Sequence, residues 1–315
     1  TITDGTVTST VATQTVNVAV VNDAATMANN GTAVTYIEGG SIVFADSSIT
    51  LSDVDGTQIT GATATISTGH TTGDSLNFTN ADGITGAYSD GILTLIGTAT
   101  LSQYQTALRS ITYSSTSEDP TSISATRTIS WVVTDANAGG AGSTQNSIAV
   151  TSTINLTAVN DTPTASAGAT LAYTENGDAA VIDNTIVLTD VDDTHISSAV
   201  VTISSGFIAG DILHIGAGAN SHLSIVDQTK LSELQSSVNI SYNSSNGVLV
   251  LSGDATLAEY QLLLRNVSYQ STSEDPTNNN SELSRTISWS VTDANSDSVG
   301  AESSIGVTST INITP

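Results

Sequence analysis

Apolar and polar residues alternate along most of the chain. In several segments apolar residues occupy every second position or form short β-branched runs, and Gly, Asn, Asp and Ser clusters separate these segments. A period of two places successive side chains on opposite faces of a strand. Many short strands divided by turn residues are typical of an antiparallel β-sandwich, so we predict an all-β chain. The predicted strands include residues 15–21, 62–67, 91–96, 128–133, 149–156, 200–204 and 248–251.

Two segments break this alternation with a helical pattern. Residues 100–103 (TLSQ) and 256–259 (TLAE) are capping boxes, in which Thr accepts a backbone N–H and Gln or Glu reaches back. Apolar residues then follow at helical spacing, which predicts one short helix in each half of the chain. A further helical turn is predicted within residues 230–237 (KLSELQSS).

The chain also repeats itself. Residues 101–120 (LSQYQTALRSITYSSTSEDP) recur as 257–276 (LAEYQLLLRNVSYQSTSEDP). This repetition predicts two tandem domains, residues 24–160 and 161–315, the second with an insertion near 216–241. Residues 1–23 match only the end of a repeat. They are either the last strands and linker of a preceding repeat or strands that complete a sheet in a neighbouring molecule.

The composition narrows the possible partners. The chain has 30 acidic and 5 basic residues, a formal charge of -25, which excludes nucleic acid and anionic membrane surfaces as partners. Hydrophobic residues make up 38% of the chain, so apolar burial is available to oppose disorder. No stretch approaches about 18 uninterrupted apolar residues, so we predict no direct membrane insertion. Because the chain begins within a repeat, we expect it to come from a longer protein.

Acidic and amide residues recur at turns in the same order in both halves. Calcium takes six to eight oxygen ligands, and an Asp-x-Asp pair on a turn can direct two carboxylates at one ion. We therefore predict Ca²⁺ as the cofactor, with solvated turns as the alternative. The predicted metal ligands are Asn22, Asp23, Glu38, Asp53, Asp55 and Asp135 in the first half, and Asn160, Asp161, Glu175, Asp190, Asp192 and Asp293 in the second.

The order of a Glu, Asp-x-Asp, Asp-x-Asn and an Asn-Asp linker followed by Pro163 resembles cadherin repeats. It resembles more closely the cadherin-like repeats of large bacterial surface adhesins, and the resemblance covers nearly the whole chain. It implies tandem Ig/cadherin-like β-sandwiches outside the cell, on a bacterial surface. The cadherin Asp-Arg-Glu motif has no counterpart. Residues 118–120 and 274–276 (EDP) either replace it or begin a turn, and the linker is one Asn shorter.

The resemblance also implies how the ligands group around the linkers. One linker would use Asn160, Asp161, Asp190, Asp192 and Asp293, and the preceding linker would use Asn22, Asp23, Asp53, Asp55 and Asp135. Glu38 would face the linker at residues 160–161. Glu175 would face a linker beyond Pro315.

The remaining chemistry-bearing residues favour structural roles. Arg109, Arg127, Arg265 and Arg285 recur, and we expect them to neutralise buried or half-buried carboxylates, with the EDP acids as candidate partners of Arg127 and Arg285. We expect Trp131 and Trp289 in the core. His70, His195, His214 and His222 do not recur, no Cys exists, and no Ser lies in a Gly-x-Ser-x-Gly elbow, so we predict no enzyme.

The leading hypothesis is an extracellular structural or adhesive repeat module of a bacterial surface protein, rigidified by calcium. Its partners would be neighbouring repeats of the same or an adjacent chain. One alternative is the subunit of a self-assembling surface fibre or sheath that exchanges strands through residues 1–21. The other is a carbohydrate-binding module for cell-surface or matrix glycans, with its site at the insertion.

Overall fold

The computed structural model describes residues 1–137, 142–216, 223–295 and 299–315, apart from the side chain of residue 225. The chain divides into two compact units, Thr1–Thr157 and Ala158–Pro315, called the first and the second unit below. The repeat boundaries predicted from the sequence, 24–160 and 161–315, stay predictions. Among the described residues, the helices are too short or too polar to cross a membrane.

The first unit contains eleven strands among its described residues and the helix α1 (Leu101–Ser110). The strands are β1 (Thr26–Ala28), β2 (Val34–Ile37), β3 (Val43–Phe44), β4 (Thr50–Ser52), β5 (Gln58–Thr68), β6 (Asp74–Asn77), β7 (Thr85–Ser89), β8 (Ile92–Thr100), β9 (Thr112–Ser115), β10 (Thr126–Asp135) and β11 (Val150–Thr157).

The described part of the second unit repeats this series of strands and contains the helices α2 (Ile225–Ser237) and α3 (Leu257–Leu264). The strands are β12 (Thr164–Ser166), β13 (Thr170–Thr174), β14 (Ala180–Val181), β15 (Val187–Thr189), β16 (His195–Ser205), β17 (Asp211–Ile215), β18 (Asn239–Asn243), β19 (Val248–Thr256), β20 (Val267–Ser271), β21 (Ser284–Asp293) and β22 (Val307–Thr314).

Both units have the same sheet topology. Among its described residues the first unit has three sheets: a six-stranded sheet of order β2-β11-β10-β5-β8-β7, a three-stranded sheet of order β3-β9-β6 and the two-stranded pair β1-β4. In the second, the order β13-β22-β21-β16-β19-β18 accompanies β14-β20-β17 and the pair β12-β15. The pairing is antiparallel except where β2 joins β11 and β13 joins β22. The predicted all-β fold of antiparallel sandwiches is confirmed.

The alternating pattern predicted the strands because each strand buries one face. β10 alternates half-buried and buried residues along its whole length, and its buried side chains include Trp131. Trp289 occupies the same place on β21 and is also buried, so the expected core positions of both tryptophans are confirmed. The strand predicted at residues 15–21 is wrong: residues 9–20 form no strand, and Val16 and Val18 are 78% and 83% exposed. An alternating segment without a partner strand has nothing to bury its apolar face against.

The predicted capping boxes are present. Thr100 N donates to Gln103 Oε1 at 2.9 Å and Gln103 N donates to Thr100 Oγ1 at 3.3 Å, at the start of α1. Thr256 and Glu259 make the same two bonds, at 2.9 and 3.3 Å, at the start of α3.

The second unit has a longer second helix than the sequence predicted, because the turn predicted at residues 230–237 is only the last part of it. Its insertion forms α2, a helix of 13 residues where one turn was predicted. Leu231 and Leu234, three residues apart, pack into the core of the second unit. Their neighbours on α2 are mostly polar, so the helical period is weak in the sequence. Residues 217–222 of the insertion, including His222, lie outside the described residues.

A buried ion pair lies in the core of each unit. Arg127 Nε donates to Asp74 Oδ2 at 2.6 Å, and both side chains are fully buried. Arg285 and Asp211 form the same pair at 2.6 Å. The expectation that these two arginines neutralise buried carboxylates is confirmed, but the EDP acids are not the partners. Instead, each EDP segment supplies its proline carbonyl, which accepts from the arginine Nη2 at 2.7 Å.

For the other two repeated arginines the predicted partner is wrong. Arg109 Nε donates to the backbone carbonyl of Ile49, and Arg265 Nε to that of Ile186, each at 2.6 Å. These carbonyls lie just before β4 and β15. Both arginines therefore hold a turn in place through its backbone, which a search for acidic partners does not reveal.

Each unit also contains a buried aspartate that supports its tryptophan. Trp289 Nε1 donates to Ser309 Oγ at 3.0 Å, and Ser309 Oγ donates to Asp183 Oδ2 at 2.7 Å. Burial raises the pKa of Asp183, but hydrogen bonds from Thr185 and from the Gly168 and Ala169 amides outweigh it and hold the pKa below its ordinary value. Asp46, Ser152 and Trp131 form the corresponding chain in the first unit. Because an indole N–H in a core needs an acceptor, this chain fixes the tryptophan position.

Candidate metal centres

In the second unit, three aspartates converge on the turn after β15. Asp190 Oδ1 accepts the backbone N–H groups of Asp192 at 3.4 Å and Asp193 at 3.2 Å, which closes the turn around this carboxylate. Carboxylate oxygens of Asp190, Asp192 and Asp193 lie within 4.8 Å of one another. In the sequence, Asp193 directly follows and backs the Asp-x-Asp pair, but it was not counted among the predicted ligands. The structure adds it to the predicted Asp-x-Asp pair.

The linker residues of the second unit are held against this turn and against the end of β21. Asn160 Nδ2 donates to Asp293 Oδ2 at 2.9 Å, and the backbone N–H of Asp161 donates to Asp192 Oδ2 at 2.9 Å. Asp293 also accepts the N–H of Glu302, at 3.1 and 2.9 Å to its two oxygens. Hydrogen bonds therefore bring all five residues predicted for this linker into one constellation.

Several oxygens of this constellation are buried without a hydrogen-bond partner in the described part of the chain. They include Asp190 Oδ2, Asp192 Oδ1 and Asn160 Oδ1, and Asn160 as a whole is only 7% exposed. Buried oxygens of this kind are costly to leave unsatisfied, and carboxylate and amide oxygens are the ligands that Ca²⁺ prefers. Burial and the neighbouring Asp192 raise the pKa of Asp190 to about 7. A bound cation would oppose this shift by favouring the carboxylate form.

The first unit contains the same constellation. Asn22 Nδ2 donates to Asp135 Oδ2 at 2.9 Å, and the N–H of Asp23 donates to Asp55 Oδ2 at 3.1 Å. Asp53 Oδ1 accepts the N–H of Asp55 at 3.2 Å. Asp53 Oδ2 and Asp55 Oδ1 are buried and, among the described residues, have no hydrogen-bond partner. The predicted linker, Asp-x-Asp and late-strand residues thus lie together in both units.

The two constellations differ at one position. Gly56 stands where the second unit has Asp193, and its N–H donates to Asp53 Oδ1 at 3.0 Å, so the backbone turn is the same. A Cβ at Gly56 would lie 2.5 Å from Asp53 Oδ2, so a side chain there requires the Asp53 carboxylate to move. The first constellation therefore has one carboxylate fewer.

Two predicted ligands lie away from the constellation of their own unit. Glu38 follows β2, and its N–H donates to the carbonyl of Thr157 at the end of β11, at 3.0 Å. Glu175 follows β13, and its N–H donates to the carbonyl of Thr314 at 2.8 Å. Because β10 and β11 are antiparallel, the end of β11 and the end of β10 lie at opposite poles of the unit. The assignment of both glutamates to the linkers that follow them stays a prediction.

The aspartates of the EDP segments make local turn bonds. The N–H of Asp119 donates to Ser117 Oγ at 3.2 Å, and both carboxylate oxygens of Asp275 accept the N–H of Asn279, at 3.0 and 2.9 Å. For Asp119 and Asp275 these contacts favour the second of the two predicted roles, in which the segment begins a turn. The Glu118 carboxylate lies within 4.8 Å of the carboxylate of the predicted ligand Glu38, so a metal role for Glu118 stays a prediction.

No protein-family model matches the chain, and no curated protein sequence matches it. Three solved structures represent the folds to which it is similar. Human protocadherin-24 EC1-2 (form II) is 12% identical over 93% of this chain and 100% of that one, with a TM-score of 0.33. Drosophila N-cadherin EC1-4 is 13% identical over 93% and 50%, with a TM-score of 0.34. The titin domains z1z2 in complex with telethonin are 13% identical over 93% and 98%, with a TM-score of 0.23. Likenesses at this level establish no function.

Proposed function

We propose that the chain is an extracellular repeat module in which Ca²⁺ orders each linker against the repeat that follows it. The observation that carries the proposal is the same hydrogen-bonded constellation in both units, with buried carboxylate oxygens that lack a hydrogen-bond partner among the described residues. The formal charge of -25 adds a general reason for a divalent cation, because self-repulsion destabilises a compact acidic protein.

Different parts of each unit would supply the ligands of the ion. Asp53 with Asp55, and Asp190 with Asp192 and Asp193, offer the carboxylates. The linker residues contribute Asn22 with Asp23 and Asn160 with Asp161, while Asp135 and Asp293 support the linker amides from the end of the late strand. A bound ion would neutralise this concentrated charge and would stabilise the folded unit by mass action.

The larger role follows from the linker. An Asn-Asp linker that an ion ties to a folded unit has less conformational freedom than a solvated linker. An array of such repeats would therefore be stiffer and more resistant to proteolysis with calcium than without it. We propose that this array belongs to a bacterial surface protein, that neighbouring repeats are its partners and that adhesion is its role, with repeats at residues 24–160 and 161–315.

A calcium titration tests the metal proposal. We expect calorimetry on the full chain to show binding, and D190N/D192N and D53N/D55N each to remove one part of the heat. D254N, at an exposed position on β19, is the matched control and should bind like the parent chain. Small-angle scattering should show a narrower range of chain dimensions with calcium than with a chelator. The proposal would be refuted if calcium produced no binding heat and if the melting temperature and the scattering profile were the same in calcium and in chelator.

A second proposal concerns residues 1–21. Their exposed valines, including Val16 and Val18, present an alternating apolar face that no strand of the described chain covers. Such a segment could pair with a sheet edge of another copy and build a fibre or sheath. Deletion of residues 1–21 would then abolish assembly and leave both units folded. If the parent chain stays monomeric at high concentration, the fibre proposal is wrong.

A further inference from the structure

The second unit contains a cleft between α2 and α3, formed by the insertion. Its volume is about 590 Å³, within the usual range for small-molecule sites. Leu223 and Leu262 give it apolar walls, and Asn184, Gln261 and Asn266 give it amide groups. This cleft is separate from the candidate metal centres and includes none of their residues.

Asn266 is a polar group buried at this cleft without a full set of partners. The residue is 0% exposed, its Nδ2 donates to the carbonyl of Leu262 at 2.8 Å, and its Oδ1 has no hydrogen-bond partner among the described residues. A buried carbonyl oxygen without a donor costs free energy that a ligand hydroxyl could recover. Ser110 holds the corresponding place in the first unit and is exposed, so the feature belongs to the second unit.

Two more buried polar atoms lie on the same side of the adjacent sheet. Ser268 on β20 pairs with His214 on β17. Side chains alternate along a strand, so Ser268 and Asn266 lie on one face of the sheet, and the core residues Val267 and Tyr269 lie on the other. Ser268 Oγ and His214 Nε2 are buried and, in the described part of the chain, without hydrogen-bond partners. In the first unit, Asn77 at the place of His214 is exposed. The insertion therefore covers a polar face that is otherwise open to solvent.

The charges at the cleft indicate what the ligand carries. The lining of the cleft has two cations, Lys230 and Arg265, and two carboxylates, Asp227 and Glu259. Asp227 accepts the Ser224 hydroxyl at 2.7 Å. Lys230 Nζ is paired with Glu259 Oε1 at 2.6 Å. Arg265 is half-buried, and its Nε is bonded to a backbone carbonyl rather than to an acid. Of the two cations at the cleft, Arg265 is therefore the one that forms no ion pair with an acidic side chain of the described residues. Its guanidinium is available to bind the carboxylate of a ligand.

We infer that the cleft between α2 and α3 binds a saccharide that bears a carboxylate. The sugar hydroxyls would meet Asn266, Gln261 and Asn184, and the carboxylate would meet Arg265. None of the described residues that line the cleft is aromatic, so neither a flat ring system nor the apolar face of a sugar would bind these residues by stacking. The site rests on none of the calcium ligands, so its binding should be the same in calcium and in chelator.

An NMR titration of the full chain tests this inference. The probes are D-glucuronate, D-glucose and acetate. We expect glucuronate to shift amide signals of α2 and α3. Glucose, which has no carboxylate for Arg265 to bind, should bind at least about tenfold more weakly. Acetate should leave these signals unchanged. Equal shifts with glucose would overturn the role of Arg265. Equal shifts with acetate would overturn the saccharide and leave a simple anion site.

Variants with matched controls in the first unit separate binding from folding. A258W places a large side chain in the cleft from an exposed helix position, and S102W introduces the same side chain at the corresponding exposed position of α1. R265Q removes the guanidinium, and R109Q removes the arginine with the same backbone contact in the first unit. We expect A258W to abolish the glucuronate shifts, R265Q to weaken glucuronate binding at least about tenfold, and S102W and R109Q to preserve it. Shifts that persist in A258W, or no shifts in the parent chain, would overturn the inference.

Discussion

The buried ion pair of the second unit makes a quantitative prediction. Replacing Arg285 by Met removes a guanidinium that contacts Asp211 Oδ2 at 2.6 Å, Asp211 Oδ1 at 3.3 Å and the carbonyl of Pro276 at 2.7 Å. Asp211 then keeps the hydroxyl of Tyr269 at 2.6 Å as a donor but loses its counter-charge. The variant therefore leaves a carboxylate in the core with nothing to neutralise it.

The expected cost follows from this burial. Both side chains of the pair are 0% exposed, and breaking such a pair by removing one partner typically costs about 3–5 kcal/mol. A domain is commonly stable by about 5–15 kcal/mol, so the second unit should lose a large fraction of its stability. The first unit has its own pair, Arg127 with Asp74, and should unfold as in the parent chain.

Urea denaturation followed by tryptophan fluorescence measures this difference. The two tryptophans lie one in each unit, so a W131F background reports the second unit alone. Adding D211N to R285M should recover at least half of the loss, because the orphaned charge is removed. A loss below about 1 kcal/mol, or a double variant no better than R285M, would refute the reasoning.

Three further predictions concern other parts of the chain. D183N should lower the free energy of unfolding at pH 7 by about 1–3 kcal/mol in thermal or urea melts. Because the folded pKa of Asp183 is lowered, its contribution is present above its ordinary pKa of 3.8 and fades as the pH falls below it, so a pH-independent deficit would contradict the assignment. D193G should weaken calcium binding at the second constellation in calorimetry, and equal affinity would show that Asp193 is no ligand. T256A and T100A should each cost about 1 kcal/mol through the lost helix cap, and a neutral result in both would contradict the capping boxes.

Much of the fold could be predicted because local patterns express it. The alternation in β10 and β21 reflects one buried face, and the capping boxes at Thr100 and Thr256 reflect bonds within three residues. The helix α2 could not be predicted at its full length, because its burial depends on two leucines in a polar segment. Residues 15–21 show the converse, since an alternating pattern forms a strand only where a partner strand exists.

The polar core was missed for a different reason. Asp74 lies 53 residues before Arg127, and Asp183 lies 126 residues before Ser309, so no local spacing connects them. A signal was available: Asp74 and Asp211 stand at matching places in the two repeats, each at the start of a short strand before a repeated arginine. The residues that form each linker constellation could be predicted because five acidic and amide residues recur in the same order in both repeats. Asp193 was not counted among them, because the first repeat has Gly56 at its place.

The clasp between each linker and its late strand has a consequence for how the protein is made. Asn22 bonds to Asp135, 113 residues later, and Asn160 bonds to Asp293, 133 residues later. A chain synthesised or exported from its N-terminus carries the linker first and the partner aspartate late, with only the last strand of the described repeat still to follow. Since closing so long a loop costs entropy that only a nearly complete sheet can offset, the clasp forms late in the folding of its repeat. A formed clasp therefore indicates that its repeat has folded at least as far as the strand that ends in the partner aspartate, β10 or β21.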